Sequence, residues 1–369
     1  MTLPGFDAFD HRMMARALRL AERGRYTTKP NPMVGCVLVR DGEIVGEGWH
    51  QRAGGPHAEI FALQAAGDAA RGATAYVTLE PCAHTGRTGP CADALVEAGV
   101  SKVVAAMRDP FPKVSGAGFE KLRAAGIGVA DGLMQAQARG LNRAFFSRVE
   151  RGRPWLRVKL GVSLDGRTAL ANGDSKWITS AESRGDVHRW RARCGALLTG
   201  AGTVLADDPH LTVRLEDDAD FVAPIRVVLD PGLATVARGN VREGDVPTIY
   251  FHAPDAKPPR DIQLQRHPVA LSRGMLDLRE VLAELARREV NEVQVEAGAT
   301  LAGAFLRAGL VDELLIYVAP VLLGDAARPM FDGLGIQAMA DALRLKPVEM
   351  RQVGPDLRLL LQPAESAAP

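Results

Sequence analysis

The stretch Pro81-Cys82-Ala83-His84-Thr85-Gly86-Arg87-Thr88-Gly89-Pro90-Cys91 follows a β-rich run and carries two cysteines on a loop. Upstream, His57-Ala58-Glu59 opens a helical stretch directly after Pro56, and proline is well accepted at a helix start. One histidine and two thiolates are three good zinc ligands, which leave a fourth position for water. These segments therefore predict an open zinc site formed by His57, Cys82 and Cys91.

Glu59 is the candidate proton carrier of this site. Residues two apart in a helix point to nearly opposite faces, so His57 and Glu59 converge only if the site lies beyond the first turn. Zinc lowers the pKa of its water, and a carboxylate that does not bind the metal can move protons to a leaving amine. The order H-x-E, strand, P-C…C therefore indicates a zinc-dependent hydrolytic deaminase.

Each of these signals has a simpler reading. An H-x-E tripeptide alone is weak, and a P-C pair is more often a buried cysteine. A structural zinc site would be closed by a fourth protein ligand, for which His84 is the one nearby candidate. The usual deaminase signature has two residues between its cysteines, whereas this chain has eight.

Strand and helix signals alternate around the candidate site. A helical stretch at 9–23 precedes a hairpin whose strands, 34–39 and 44–49, are joined by Asp41-Gly42. Further signals indicate helices at 58–66 and 92–98 and strands at 75–79 and 103–106. This alternation predicts an α/β layer fold.

The segment Arg151-Gly152-Arg153-Pro154 separates a helical stretch at 135–149 from a β-rich run at 155–160. Because 369 residues exceed one ordinary core, we expect two domains, 1–150 and 151–369. Strand and helix signals also alternate in the second domain. Strands are expected at 196–199, 225–229, 248–251, 293–295 and 314–318, and helices at 180–193, 276–288 and 299–308.

The composition of the chain disfavours polyanionic, nucleic-acid and membrane partners. The chain is 47% hydrophobic and 24% charged with a net charge of +1, so bulk charge predicts no polyanionic partner. No basic stretch is interleaved with aromatic residues, which disfavours a nucleic-acid substrate. Charges interrupt the first thirty residues, and no apolar run approaches the ~18 residues that span a bilayer. We expect a cytoplasmic protein with reduced cysteines and no membrane partner.

A second candidate site lies at Val295-Glu296-Ala297-Gly298-Ala299-Thr300-Leu301-Ala302-Gly303, where a strand ends in a glycine turn before a helix of small residues. Free backbone N–H groups at such a helix start can hold a phosphate, although plain helix–strand packing explains the pattern as well. Gly200-Ala201-Gly202-Thr203 also follows a strand, but a lone G-x-G is usually a turn.

The sequence resembles the bifunctional deaminase/reductase family of riboflavin biosynthesis over about residues 9–361. The first half carries its motifs N-P-x-V-G at 31–35, G-x-P-H-A-E at 54–59 and P-C-x-H-x-G-R-T-x-P-C at 81–91. The second half carries those of its reductase domain at 159–169, 175–180 and 203–214. The resemblance implies a cytidine-deaminase-like three-layer αβα domain followed by a dihydrofolate-reductase-like α/β domain.

The resemblance also implies roles for particular residues. It implies zinc bound by His57, Cys82 and Cys91, Glu59 as proton carrier, and a deaminase substrate site lined by Asn31, His50, His84 and Arg87. It implies NADPH contacts from Gly161, Trp177, Thr203, Asp207, Gly298, Ala299, Thr300, Leu301, Ala302, Gly303 and Ala304. It implies reductase substrate contacts from Lys159, Ser175, Arg191, Leu211, Arg214 and Glu296. A solvated surface role for His50 or Arg87 and a salt-bridged strand role for Lys159 stay open.

The family would carry out two consecutive steps on a small phosphorylated pyrimidine. Zinc-dependent deamination would replace its 2-amino group with oxygen, and NADPH would then reduce the ribosyl side chain to ribityl. A homo-oligomer, dimer or tetramer, formed through the second domain is a further expectation of the resemblance. The alternatives are a tRNA-type base deaminase, a non-catalytic zinc-stabilised interaction module, and a fusion in which only one domain is active.

Overall fold

The computed structural model describes residues 5–364 except 84–88, 112–114, 218, 238, 260–261 and 273. The chain divides into two compact units, Met1–Gly152 and Arg153–Pro369. This division lies inside the Gly/Pro/basic segment, two residues after the expected boundary. Within the described ranges, no helix combines the length and the apolar character needed to span a membrane.

The first unit contains a five-stranded sheet in the order β2-β1-β3-β4-β5. Strand β1 is antiparallel to β2 and β3, whereas β3, β4 and β5 run parallel. The elements are α1 (Ala8–Glu22), β1 (Gly35–Arg40), β2 (Glu43–Trp49), α2 (Ala58–Ala66), β3 (Thr74–Val77), α3 (Cys91–Glu97), β4 (Lys102–Ala105), α4 (Ala117–Ala124), β5 (Gly128–Asp131), α5 (Gln135–Leu141) and α6 (Arg143–Arg151).

Two cores cover the two faces of this sheet. Successive side chains of a strand point to opposite faces, so Cys36 and Leu38 of β1 join a core with α2, α3 and α4. Val37 and Val39 join the opposite core, which contains residues of α1, α5 and α6. The first unit is therefore a three-layer αβα structure.

The second unit is built on a nine-stranded sheet in the order β11-β10-β9-β8-β14-β6-β15-β18-β17. Its strands are parallel except for the C-terminal hairpin of β17 and β18, which is antiparallel to β15. The elements are β6 (Trp155–Ser163), β7 (Arg167–Ala169), α7 (Ala181–Arg193), β8 (Ala196–Gly200), α8 (Ala201–Asp207), β9 (Ile225–Leu229), β10 (Thr248–His252), β11 (Gln265–Pro268), β12 (Leu271–Ser272), β13 (Met275–Leu276), α9 (Leu278–Arg287), β14 (Glu292–Val295), α10 (Ala299–Arg307), β15 (Glu313–Ala319), β16 (Arg328–Pro329), β17 (Leu345–Val353) and β18 (Asp356–Pro363).

The expected helix at 135–149 is interrupted at Asn142, and the side chain of that residue explains the break. The Asn142 carboxamide accepts a hydrogen bond from the Met33 N–H and donates one to the Met33 carbonyl, each at 2.8 Å. This paired contact fixes Asn142 with ψ at 20°, outside helical geometry. Helices α5 and α6 are therefore separate, and the segment around Met33 is anchored to them.

Candidate metal centre and reductase cavity

His57, Cys82 and Cys91 come together at the ends of two helices in the first unit. His57 is the N-cap residue of α2, and Cys91 is the first residue of α3. The ligand atoms lie within 4.8 Å of one another, with His57 Nδ1 3.2 Å from Cys91 Sγ and 3.6 Å from Cys82 Sγ. The Cys91 N–H also donates to Cys82 Sγ at 3.3 Å. The three predicted ligands thus converge on one point.

Glu59 lies beside this cluster in the first turn of α2 and is only 3% exposed. Its Oε2 atom makes no hydrogen bond within the described part of the chain. Burial raises the pKa of Glu59 to about 7, which His57 partly opposes. A buried carboxyl group with an open oxygen, next to three metal ligands, can accept and return a proton near neutral pH.

The donor set fits zinc. A nitrogen and two sulfurs suit a tetrahedral zinc ion with one position left for water, and no fourth His, Cys, Asp or Glu joins the cluster in the ranges that the structure describes. Hydrogen bonds from Cys91 and His57 outweigh burial and lower the pKa of Cys82 to about 4. A thiolate at this position is the form that binds a metal.

His50 lies next to the cluster and contacts Asn31. Asn31 Nδ2 is 3.0 Å from His50 Nε2, and the His50 ring meets the His57 ring edge-on at 5.3 Å between centroids. His50 is only 2% exposed, so it is not a solvated surface residue. His84 and Arg87 lie outside the described residues.

The second unit contains a cavity of about 1290 Å³. It lies where the parallel strands β8 and β14 end at Gly200 and Val295, the usual location of a ligand site in such sheets. Fourteen of the residues expected to bind NADPH or substrate line it: Lys159, Gly161, Ser175, Trp177, Arg191, Thr203, Asp207, Leu211, Arg214, Glu296, Gly298, Ala299, Thr300 and Leu301.

Three expected cofactor residues do not line this cavity. Ala302, Gly303 and Ala304 are buried in the packing of α10. A Cβ atom on Gly303 would stand 2.1 Å from the Asp332 carbonyl oxygen, so this glycine permits a close approach of two backbone segments. The small residues of α10 thus serve helix packing beyond Leu301, and the cavity meets the helix at its start.

Arg191 and Glu296 form a bidentate ion pair in the cavity wall. Arg191 Nε and Nη2 each donate to a Glu296 carboxylate oxygen at 2.7 Å, and Nη1 donates to the Thr212 carbonyl at 2.8 Å. Burial raises the pKa of Glu296, but Arg191 and Lys159 outweigh it and hold the pKa at about 2. Burial also lowers the pKa of Lys159. Glu296 is therefore ionised and paired with Arg191 in the cavity wall.

His188 is a cavity residue that the sequence reasoning missed. The Arg214 N–H donates to His188 Nδ1 at 3.1 Å, and Arg214 Nη2 lies 3.2 Å from His188 Nε2. Burial and the charges of Arg191 and Arg214 lower the pKa of His188 to about 4. The available signal was its spacing of three from Arg191, which puts both side chains on one face of α7. Arg184 was also missed and lies 4.4 Å over the Trp177 ring.

Comparison with known proteins identifies both units. Residues 7–107 match the cytidine and deoxycytidylate deaminase zinc-binding region, and residues 154–359 match the RibD C-terminal domain. The riboflavin biosynthesis protein RibD of Escherichia coli is 50% identical, covering 95% of this chain and 99% of that protein. The RibD protein of Aquifex aeolicus is 40% identical over 94% and 97% of the two chains.

Solved structures agree with these matches. Acinetobacter baumannii RibD superposes with a TM-score of 0.89 at 44% identity over 97% of this chain and 99% of that chain. A Thermotoga maritima diaminohydroxyphosphoribosylaminopyrimidine deaminase/5-amino-6-(5-phosphoribosylamino)uracil reductase superposes with a TM-score of 0.85 at 35% identity. The match covers 96% of this chain and 99% of that chain. The expected cytidine-deaminase-like and dihydrofolate-reductase-like domains, with zinc and NADPH as their cofactors, are confirmed. The chain belongs to the RibD family, the bifunctional deaminases and reductases of riboflavin biosynthesis.

Proposed function

We propose that the first unit deaminates 2,5-diamino-6-(5-phosphoribosylamino)pyrimidin-4-one and that the second unit reduces the ribosyl side chain of the product with NADPH. The observation that carries this proposal is the convergence of His57, Cys82 and Cys91 beside the buried carboxyl group of Glu59, whose Oε2 atom makes no hydrogen bond among the described residues. The substrate is taken from the similar Thermotoga maritima protein, whose name specifies both activities.

In the deaminase unit, His57, Cys82 and Cys91 would hold the metal and Glu59 would move the protons. Zinc, when bound, makes water nucleophilic at neutral pH. Glu59 takes a proton from the attacking water and delivers it to the departing amino group. The ring carbon gains a C–O bond and loses its bond to the exocyclic nitrogen; of the two protons of water, one leaves with the amine as ammonia and the other stays on the product. Burial of Glu59 keeps bulk water from competing for that proton.

The substrate contacts of the deaminase unit are proposals of the same kind. His50 lies beside the cluster and contacts Asn31, and His84 and Arg87 stand between Cys82 and Cys91 in the sequence. Arg87 is suited to the substrate phosphate because its guanidinium can form paired hydrogen bonds with phosphate oxygens.

In the reductase unit, the start of α10 is the proposed site for the cofactor diphosphate. Gly298 is the N-cap residue of α10 and makes no side-chain capping bond, and Gly298–Leu301 face the cavity. The backbone N–H groups of a first helical turn lack partners within the helix and attract anions. NADPH, when bound, supplies the hydride, so the protein mainly positions the nicotinamide against the sugar carbon. Gly161, Trp177, Thr203 and Asp207 would complete the cofactor site.

The substrate phosphate of the second reaction would lie at Arg214, with help from the remaining donors of Arg191. Arg191 already uses three donors on Glu296 and Thr212, so Arg214 is the more available of the two guanidinium groups. Lys159, Ser175, Leu211 and Glu296 are proposed to hold the rest of the substrate.

A homo-oligomer formed through the second unit and a cytoplasmic location also belong to the proposal. The oligomer is supported by the edge strand β17, where Val348 is 50% and Met350 62% exposed. Exposed apolar side chains that lie together favour contact with another protein surface. Sedimentation of the full chain with Val348→Lys would show a smaller species if β17 forms the interface.

The proposed function is tested by supplying the diaminopyrimidinone phosphate with NADPH and following ammonia release and NADPH oxidation together. The expected result is ammonia first and equimolar NADPH oxidation afterwards, with both lost when a chelator removes zinc. Ammonia release without NADPH oxidation would contradict the reductase assignment. Ammonia release that is unaffected by complete zinc removal would contradict the deaminase assignment.

A further inference from the structure

The side chain of Glu80 is buried two residues before the proposed metal ligand Cys82. It is only 4% exposed and follows the end of β3. Both of its oxygens accept hydrogen bonds from backbone N–H groups elsewhere in the first unit. Oε1 accepts from Gly118 at 3.0 Å and Phe119 at 3.4 Å, and Oε2 accepts from Asp109 at 3.2 Å and Gly116 at 3.0 Å. One carboxylate thus binds four N–H groups that lie 29 to 39 residues further along the chain.

Three of these N–H groups belong to the start of α4. Gly116 is its N-cap residue and makes no side-chain capping bond, and Gly118 and Phe119 lie in its first turn. The first N–H groups of a helix have no partner within the helix, and an oxygen of the N-cap side chain usually accepts from the second or third of them. Glu80 supplies that acceptor from a different segment. The first turn of α4 and the Glu80 side chain therefore hold each other in place.

The backbone that follows Glu80 also packs on α4. A Cβ atom on Gly118 would stand 1.9 Å from the Pro81 carbonyl oxygen, so this glycine permits a direct contact between the two backbones. The Cys82 carbonyl accepts a hydrogen bond at 3.1 Å from the N–H of Ala92 in α3. Cys82 is thus held between the starts of α3 and α4.

A residue within α4 could have capped this helix more simply. Serine, threonine, aspartate or asparagine at the N-cap position satisfies the same N–H groups, whereas burying a carboxylate is costly unless hydrogen bonds replace its solvation. What Glu80 adds is a connection between α4 and the segment that carries Cys82. Groups of this kind, outside the ligands themselves, orient the ligands of metal sites.

We propose that Glu80 is a positioning residue of the metal centre that acts through Cys82. Its four hydrogen bonds fix the segment 80–82 against α4, so that the Cys82 thiolate already stands beside His57 and Cys91 when the metal binds. Part of the metal affinity then comes from this preorganisation. The inference rests on the proposed metal-ligand role of the cluster, but not on which pyrimidine the first unit deaminates.

Glu80→Gln tests the proposal through the zinc dissociation constant, Kd. Glutamine has nearly the same shape, but its NH2 group replaces one acceptor and would face N–H donors. We expect the Kd of the full chain, measured by competition with a chelator, to rise about 10- to 100-fold. A helix cap with a purely structural role would lower the stability of the metal-free chain and leave the Kd of the folded chain unchanged. An unchanged Kd would therefore overturn the proposal.

Glu120→Gln is the matched control. Glu120 is exposed and lies in the first turn of the same helix, so this variant removes the same charge near the same helix start. Its Kd for zinc should equal that of the unsubstituted chain. An equal rise in both variants would mean that the charge alone matters, and not the hydrogen bonds of Glu80, which would contradict the proposal.

A double-mutant cycle tests whether Glu80 acts through Cys82. Cys82→Ala removes one ligand and should weaken zinc binding on its own. Adding Glu80→Gln to Cys82→Ala should change the Kd by no more than about twofold, because the side chain that Glu80 positions is already gone. A further loss as large as that of Glu80→Gln alone would show that Glu80 acts by another route and overturn the proposal.

The unsubstituted chain provides a test that does not require a variant to fold. Coupling between two sites is reciprocal, so zinc should slow hydrogen exchange at the amides of Gly116, Gly118 and Phe119 if Glu80 couples them to the metal. Equal exchange rates with and without zinc would overturn the proposal. A chain that binds zinc but releases no ammonia would instead refute the proposed function and leave the inference about Glu80 standing.

Discussion

At the scale of single side chains, phosphate binding in the reductase cavity depends on which arginine has donors available. Arg214 lies against His188 at the cavity wall, while Arg191 is engaged by Glu296. We expect Arg214→Lys to raise the KM of the reductase reaction about tenfold with a smaller change in kcat, because lysine cannot form paired hydrogen bonds to phosphate. The measurement is steady-state NADPH oxidation with the deaminated intermediate.

Arg189→Lys is the matched control for this prediction. Arg189 lies on the same unit, with its side chain 57% exposed and only a 3.8 Å contact to Asp217. Exposed ion pairs contribute little free energy, so the KM of the Arg189→Lys variant in the reductase reaction should be unchanged. Equal KM values for both variants would argue against a phosphate at Arg214.

The ionised Glu296 also makes the stability of the second unit depend on pH. Because its pKa is held at about 2, below the ordinary 4.5, the ion pair stabilises the folded state above about pH 4.5 and this contribution is lost as the pH falls toward 2. We expect Glu296→Gln to lower the free energy of unfolding on the order of 2 kcal/mol at pH 6 and by progressively less toward pH 2.

Urea unfolding followed by tryptophan fluorescence measures this difference, since Trp155, Trp177 and Trp190 all belong to the second unit. Glu289→Gln, at an exposed position, serves as the control and should show no such pH dependence. A difference between Glu296→Gln and the unsubstituted chain that stays constant from pH 6 to pH 3 would contradict the proposed role of the ion pair.

The convergence of His57, Cys82 and Cys91 beside Glu59 could be predicted from the sequence because the chemistry of these side chains and their order along the chain are distinctive. The partners of those residues could not be predicted in the same way. The His50–Asn31 bond joins residues nineteen apart, and the Arg191–Glu296 pair joins residues 105 apart. Such contacts depend on strand order, which local patterns do not specify. His188 was missed because a histidine on a helix gives no chemical signal until its neighbours are known.

At the scale of elements, β2 controls the position of α2 and hence of the metal centre. Gly48 of β2 packs so closely on α2 that a Cβ atom there would stand 2.3 Å from the Ala58 carbonyl oxygen. We expect Gly48→Ala to displace the first turn of α2, lower stability by about 1–3 kcal/mol and reduce zinc content and ammonia release together. Metal analysis and thermal unfolding measure these effects.

Gly140→Ala is the control for this prediction, because a Cβ atom at Gly140 meets nothing within 4 Å and the residue lies in α5. Alanine is favoured over glycine in a helix by roughly 0.5–1 kcal/mol, so this variant should be as stable or slightly more stable. Full zinc content in Gly48→Ala would contradict the role given to the β2–α2 contact.

The bounds of helices and strands were best predicted where the hydrophobic pattern agreed with turn residues or a proline at a helix start. The hairpin of β1 and β2 and the helix α2 were located from their turn and proline signals. The pair α4 and β5 was missed, as was the C-terminal hairpin of β17 and β18. Strand β17 is exposed along almost its whole length, so it lacks the alternation of buried and exposed side chains that reveals a strand.

At the scale of the whole molecule, each unit has its own hydrophobic core and its own candidate site. We therefore expect a chelator to abolish ammonia release while leaving NADPH oxidation intact when the deaminated intermediate is supplied. Zinc analysis of the treated protein confirms removal of the metal. Loss of both activities on chelation would show that the reductase unit depends on the metal, which the arrangement of its cavity residues does not predict.

The central claim, that Glu59 moves protons at an open zinc site, is tested most directly by ammonia release from Glu59→Gln with its zinc content measured on the same sample. We predict full zinc content, ammonia release reduced by about 10²–10⁴-fold, and normal NADPH oxidation with the deaminated intermediate. The exposed Glu97→Gln should behave as the unsubstituted chain. Unchanged ammonia release from zinc-loaded Glu59→Gln would contradict the mechanism.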